Sequence, residues 1–166
     1  RTLPNAPRYT KLLLYKSLIR PVLEYASVVW FPYKHCEISL LDNIQQKSIR
    51  FIFINYSRNF SPTTALQSLK IPSQLSRYQN EALKFLYRIV NSSSGLGHGN
   101  LITFTDDSCT RSSHALNVTP FFARTNTFRY SFFPRAIELW NSLPGSIRSL
   151  PLTDFIVAVD EYLTDA

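Results

Sequence analysis

The sequence predicts a mainly α-helical protein: a helical bundle over residues 8–91, a glycine- and serine-rich linker at 92–99, and a smaller irregular α+β part over 100–166. Three observations predict it. From Arg8 to Val90 apolar residues recur at steps of three and four, the period of one face of an α-helix. Three of the four glycines fall within Asn91–Asn100, and such a segment resists regular structure. Beyond it the apolar runs become short, β-prone and separated by polar residues.

In Arg8–Trp30 the apolar positions Leu12, Tyr15, Ile19, Leu23, Ala26 and Trp30 form one stripe. Pro21 lies inside it without an amide donor, which predicts a kink or two abutting helices meeting near Arg20. A second helix is expected from about Glu37 to Ile54, with Ile38, Leu41, Ile44, Phe51 and Ile52 inward and Lys47 and Arg50 on an outer face. Ser61-Pro62 reads as a cap followed by proline at the first helical position, opening a helix over Thr63–Leu69. Ser73 caps the next, which runs to about Val90 and buries Leu75, Tyr78, Ala82, Phe85, Leu86 and Ile89. After the linker, Leu101–Phe104, Ala115–Val118 and Thr127–Phe133 read as strands. A helix opens at Pro134 and ends near Leu143, where Pro144-Gly145 stops it. Thr153 caps a last amphipathic helix, Asp154–Leu163, with Phe155, Val159 and Tyr162 at helical spacing.

The 166 residues are 45% hydrophobic, 14% aromatic and 17% charged, which places the chain among folded proteins of one domain or one and a half. There is no Met, so the chain has no initiator of its own and is expected to be a piece of a longer product. Cys36 and Cys109 show no CxxC spacing, which argues against a disulfide scaffold or a zinc ribbon and for a reducing compartment. Glycosylation-type triplets at Asn55, Asn59, Asn91 and Asn117 carry no weight, since no signal peptide accompanies them. The longest apolar stretches, Leu12–Leu14 and Phe51–Ile54, fall far below the roughly 18 residues of a membrane span, so a soluble protein is expected.

Charge gives the functional signal. The net charge of +7 averages two unlike pieces: residues 1–153, with 18 bases and seven acids, stand at +11, and the last thirteen residues at −4. The bases also fall on helical faces: Lys16 with Arg20, Lys47 with Arg50, and Arg77 with Lys84 and Arg88. Such rows beside aromatic side chains suit the tracking of phosphates without reading sequence. A solvated, salt-bridged surface is the competing explanation, because Glu24 follows Arg20 by four residues and Glu81 lies between Arg77 and Lys84. The aromatic cluster Phe121, Phe122, Phe128, Tyr130, Phe132, Phe133 and Trp140 reads mainly as core, with Arg124, Arg129 and Arg135 left to reach phosphates.

Other constellations are weaker. His35, Cys36, Cys109 and His114 are zinc-ligand types, but adjacent His35-Cys36 is awkward for one tetrahedral ion and no CxxC anchors a site. A Cys-His nucleophilic pair has no orienting motif around it. The Gly-Leu-Gly-His-Gly run neither follows a clear strand nor opens a helix, so it reads as linker and not as a phosphate loop.

Three stretches carry a family resemblance: KLLLYKSLIRPVLEYASVVWFP at Lys11–Pro32, LDNIQQKSIRFIF at Leu41–Phe53, and RYSFFPRAIELWNSLP at Arg129–Pro144. With Arg77–Val90 and Thr110–Thr127, they resemble the region after the catalytic core in reverse transcriptases of non-LTR, LINE-like (jockey-type) retrotransposons. The motif pair RPxLEYxSxxW and SFFPRxIxxWNxLP, in this order, carries the likeness from about Lys11 to Leu150. The resemblance implies that the parent protein is an RNA-directed DNA polymerase working with Mg²⁺, found in nucleus and cytoplasm. This piece then matches its thumb-like helices and C-terminal extension. Its implied partners are the RNA/DNA template–primer duplex and the upstream palm domain, with no membrane role and no cofactor in this piece. The phosphate contacts expected from the basic rows and the aromatic segment are Lys16, Arg20, Lys47, Arg50, Arg77, Lys84, Arg88, Arg129 and Arg135. A structural or protein-interaction module, or a degenerate transposon relic, is the alternative.

No catalysis by this piece is expected. Nucleotidyl transfer needs carboxylates holding paired Mg²⁺ ions, which the family draws from separate palm strands, one with an aromatic-x-Asp-Asp box. Phe104-Thr105-Asp106-Asp107 fits that pattern, yet polar residues follow it and it lies about seventy residues after the LEYxSxxW stretch instead of before it. A turn or cap is the expected role of Asp106 and Asp107.

Overall fold

The structure, a computed structural model, describes residues 5–91, 102–105 and 116–165. The protein is mainly helical, in agreement with its sequence. It divides into two compact units, Arg1–Tyr78 and Gln79–Ala166. The linker expected at 92–99 lies outside the described residues.

The first unit opens with α1 (Arg8–Leu14), a π turn (Tyr15–Ile19) and α2 (Arg20–Glu24). Two helical segments therefore abut at Arg20, as Pro21 predicts. Without an N–H it cannot close a bond to the Ser17 carbonyl, and its ring would crowd that oxygen; the turn before it opens, and Arg20 N–H reaches the carbonyl of Tyr15, five residues back. The chain breaks later, at Ala26, whose φ of 51° is left-handed. There Trp30 Nε1 donates to the Tyr25 carbonyl at 2.6 Å, and α3 (Ser27–Trp30) follows.

The opened turn also rephases the stripe. Tyr15 is buried and Leu12 packs against the core, but Ile19, Ala26 and Trp30 are exposed, as are Leu18, Val22, Tyr25 and Val29. Of the residues expected inward on α4 (His35–Phe53), Ile52 is buried and Ile38, Leu41 and Phe51 are half-buried. Gln45, Ser48, Ile49 and Ile52 are buried, whereas Ile44 is 42% exposed. Polar Gln45 can face inward because its Nε2 donates to the Pro72 carbonyl at 3.2 Å, and Ser48 Oγ donates back to the Ile44 carbonyl. Helix α5 (Pro62–Ser68) starts as predicted, with Ser61 Oγ accepting from Thr64 N–H. Tyr15, Ile49, Ile52, Ala65 and Ile71 form the core of this unit, with Phe53 and Phe60 packed against it.

Helix α6 (Gln74–Val90) begins in the first unit and continues in the second. Ser73 Oγ accepts from Ser76 N–H, the predicted cap. Of the residues expected inside, Tyr78, Ala82, Leu86 and Ile89 are buried; Phe85 is half-buried and Leu75 exposed.

In the second unit the β content shrinks to one antiparallel bridge, Phe104 with Val118, closed by Thr105 N–H to Asn117 O (2.9 Å) and Thr119 N–H to Thr103 O (2.8 Å). It is the only β pairing among the described residues outside any strand. The predicted strand Thr127–Phe133 is instead α7 (Asn126–Arg129) and the start of α8 (Phe132–Ser142). Thr125 Oγ1 accepts from Phe128 N–H and starts the helical turn, overriding the β preference of the aromatics. Helix α9 (Gly145–Arg148) follows Pro144, and α10 (Leu152–Asp165) begins before Thr153, whose hydroxyl donates to Asp154 rather than capping.

The core gathers Leu83, Leu86, Ile89 and Val90 of α6 with Ile137 and Trp140 of α8 and Phe155 and Val159 of α10. Asn141 holds the bridge segment: its Oδ1 accepts from Val118 N–H (3.0 Å) and its Nδ2 donates to Val118 O (2.8 Å). A side chain here completes what a neighbouring strand would otherwise supply.

Candidate nucleic-acid interface

The charge is divided by the fold. The first unit contains 11 bases and three acids, a net +8, and the second seven bases and eight acids, a net −1. The excess sequence assigns to a long basic body belongs to the first 78 residues.

Within the first unit the predicted cations differ in what they do. Lys16, on the π turn, and Lys47, on α4, are exposed. Arg50 clamps a loop: Nη1 donates to the Ser57 carbonyl (2.9 Å), Nη2 to the Phe60 carbonyl (3.3 Å), and the guanidinium lies 5.7 Å from the Phe60 ring centre. Arg20 Nε pairs with Glu24 Oε1 at 2.7 Å.

Arg77 corrects the expected row. It is 6% exposed, with Nη1 2.6 Å from the same Glu24 oxygen and Nη2 3.5 Å from the Tyr15 hydroxyl. Position 77 lies in the first turn of α6, where its side chain is covered and paired with Glu24 of α2. A buried, paired guanidinium holds structure and is removed from phosphate contact.

In the second unit, Lys84 is mostly covered, with Glu81 at 3.5 Å and Asp160 at 4.0 Å. Arg88 and Arg129 are exposed, the latter 5.9 Å from the Tyr130 ring centre; Arg135 is half-buried. The nine predicted contacts are therefore shared between two units of opposite net charge.

Arg58 and Lys70 were not signalled by helical spacing. Both are exposed cations in loops, and a search for faces of helices cannot find residues that have no helical period. Lys70 has φ 50° in the turn after α5.

Asp42 of α4 is pushed above the ordinary carboxylate range by burial, against the opposing charges of His35 and Arg77. The sign follows from linkage: the folded state holds this proton more tightly, so its contribution is complete below the unfolded pKa near 3.8 and is lost as pH rises through the higher folded value. Asp42→Asn is expected to flatten the acid limb of the stability profile and to raise stability at neutral pH, read by urea titrations across that window. Unchanged profiles would contradict this assignment.

Among the described residues no three His, Cys, Asp or Glu side chains cluster to hold an ion. Cys36 is a free, exposed thiol and the His35 ring lies 3.4 Å from Ser39 Oγ. Cys109, His114, Asp106 and Asp107 lie outside the described residues. No helix among the described residues is long and apolar enough to cross a membrane. Comparison with protein-family models, with curated protein sequences and with solved structures finds no match.

Proposed function

We propose that this chain is a non-catalytic, nucleic-acid-contacting segment of a non-LTR retrotransposon reverse transcriptase, holding the RNA/DNA template–primer duplex electrostatically through its first unit. The carrying observation is the net +8 of that unit. Three acids, Glu24, Glu37 and Asp42, stand against its eleven bases. Glu24 is shared by Arg20 and Arg77, and Glu37 lies 3.7 Å from Lys34. Lys16, Lys47, Arg58 and Lys70 are exposed. The sequence motifs RPxLEYxSxxW and SFFPRxIxxWNxLP carry the resemblance to that family, and the duplex is the polyanion that such a surface would hold.

Fluorescence anisotropy with an RNA/DNA duplex tests this. Affinity is expected to fall steeply with salt. Changing Lys16, Lys47, Arg58 and Lys70 to Gln should reduce the log–log salt slope by about 0.7–0.9 for each side chain that meets a phosphate. Changing Arg124 and Arg129 of the second unit should alter it less. No binding at low salt, or an unchanged slope, would sink the proposal. It would favour the second reading, a protein-interaction module, which has its own support in the exposed row Val22, Tyr25 and Val29.

A further inference from the structure

Between the end of α4 and α5 the first unit carries an open cavity of about 510 Å³, within the roughly 300–1,000 Å³ that small-ligand sites occupy. Phe53 and Phe60 provide apolar ring surface, their centres 5.4 Å apart at 47°. Asn55, Asn59, Ser57 and Thr64 provide amides and hydroxyls. No acid lines it.

The wall is shaped in advance. Ile54, a β-branched residue, is held at φ 51°, a left-handed conformation that costs about 1–2 kcal/mol. Asn55 Oδ1 accepts from both the N–H and the hydroxyl of Ser57, and Arg50 fixes the Ser57 and Phe60 carbonyls from behind. A second guanidinium, Arg8, stands 3.7 Å from the Phe53 ring centre. Of the lining amides, Asn59 has no intramolecular hydrogen bond among the described residues and is exposed. Arg58, an exposed cation, precedes Asn59 in the same loop.

This chemistry selects a ligand class. Ring surface receives a flat π-system, and amide and hydroxyl groups supply both donors and acceptors to the polar edge of a base. The surrounding +8 favours a ligand that arrives on a phosphate chain, and a rim without carboxylates does not repel it. We propose that this cavity holds one unpaired nucleobase of a single strand, with Arg58 meeting an adjacent phosphate. The inference rests on the nucleic-acid function proposed above and gives it a site for unpaired template or primer.

The test uses the full chain with a short oligothymidine, an abasic strand of equal length and charge, and the RNA/DNA duplex. Oligothymidine is expected to bind more tightly than the abasic strand, by roughly 5- to 150-fold for one stacked base. Asn59→Ala and Phe60→Leu, checked by thermal melting, should shrink that ratio and leave duplex affinity unchanged. Independently of any variant, a strand carrying 5-iodouracil should photocrosslink to a peptide within residues 53–68 of the unaltered chain. Equal binding of the two strands, or crosslinks confined to other peptides, would overturn the base site while duplex binding left the electrostatic function standing. Failure of all three nucleic acids to bind at low salt would overturn both.

Discussion

Replacing Trp140 with alanine is expected to unfold the second unit at physiological temperature. Trp140 is fully buried. Its ring lies 5.8 Å from that of Phe155 and 6.3 Å from that of Tyr87, joining α8 to α10 and α6. Its Nε1 also donates to the Leu116 carbonyl at 2.8 Å, tying the segment before the β-bridge to the helices. Truncation of a buried Trp costs about 3–5 kcal/mol through lost burial and the cavity left behind. The Nε1 hydrogen bond to the Leu116 carbonyl is lost with it, about 0.5–1.5 kcal/mol net. Against a total domain stability of about 5–15 kcal/mol, little remains. Trp140→Phe keeps most of the ring volume and loses the hydrogen bond, so it should fall well short of that loss. Each unit contains one tryptophan, Trp30 and Trp140, so urea titrations followed by fluorescence in the wild type, and by circular dichroism in the variants, separate the two. A midpoint for Trp140→Ala close to wild type would refute the keystone role.

Glu24→Ala carries the second largest effect, in the first unit. One carboxylate oxygen serves Arg20 and Arg77. Removing it leaves the Arg77 guanidinium, 6% exposed, hydrogen-bonded only to neutral groups, the Tyr15 hydroxyl and the Ser73 carbonyl, with the Asp42 carboxylate as a remaining charge in its field. Breaking a buried pair in this way costs about 3–5 kcal/mol, chiefly because a charge stays in the interior without compensation. Glu24 itself is about one-quarter exposed, which lets water reach the hole and moves the expectation to the lower end of that range. The distinguishing measurement is a double-mutant cycle. Adding Arg77→Met to Glu24→Ala removes the stranded charge and should recover a substantial part of the loss. If the double variant is as unstable as the sum of the two singles, the pair is not coupled as described.

How much of this was legible in the sequence depends on whether the signal was local. Caps were legible, since Ser61 and Ser73 act within three residues of themselves. The aromatic segment near 127–133 reads as a strand from β preference alone, a weak prior that yields to the helical turn Thr125 starts. On α4 the spacing points to Ile52 correctly but misses Gln45, because a buried Gln becomes favourable only with a distant partner, the Pro72 carbonyl. The same limit applied to the basic rows. Helical offsets grouped Arg77 with Lys84 and Arg88, whereas the decisive fact was Glu24, 53 residues away in sequence. The cavity rim was illegible for a further reason: its lining comes from a loop fixed by Arg50, a residue that spacing assigned to an outer surface.

The π turn at Tyr15–Ile19 behaves like a dislocation in a crystal lattice. One added residue rotates everything after it by about 100° relative to a uniform α-helix. Segments before and after Ile19 therefore belong on two separate helical wheels. Drawn on a single wheel, Tyr15 and Ile19 share a side, yet one is buried and the other is not. A one-residue deletion within that turn would restore a uniform α-helical phase and bring Ile19 and the residues after it onto a different face.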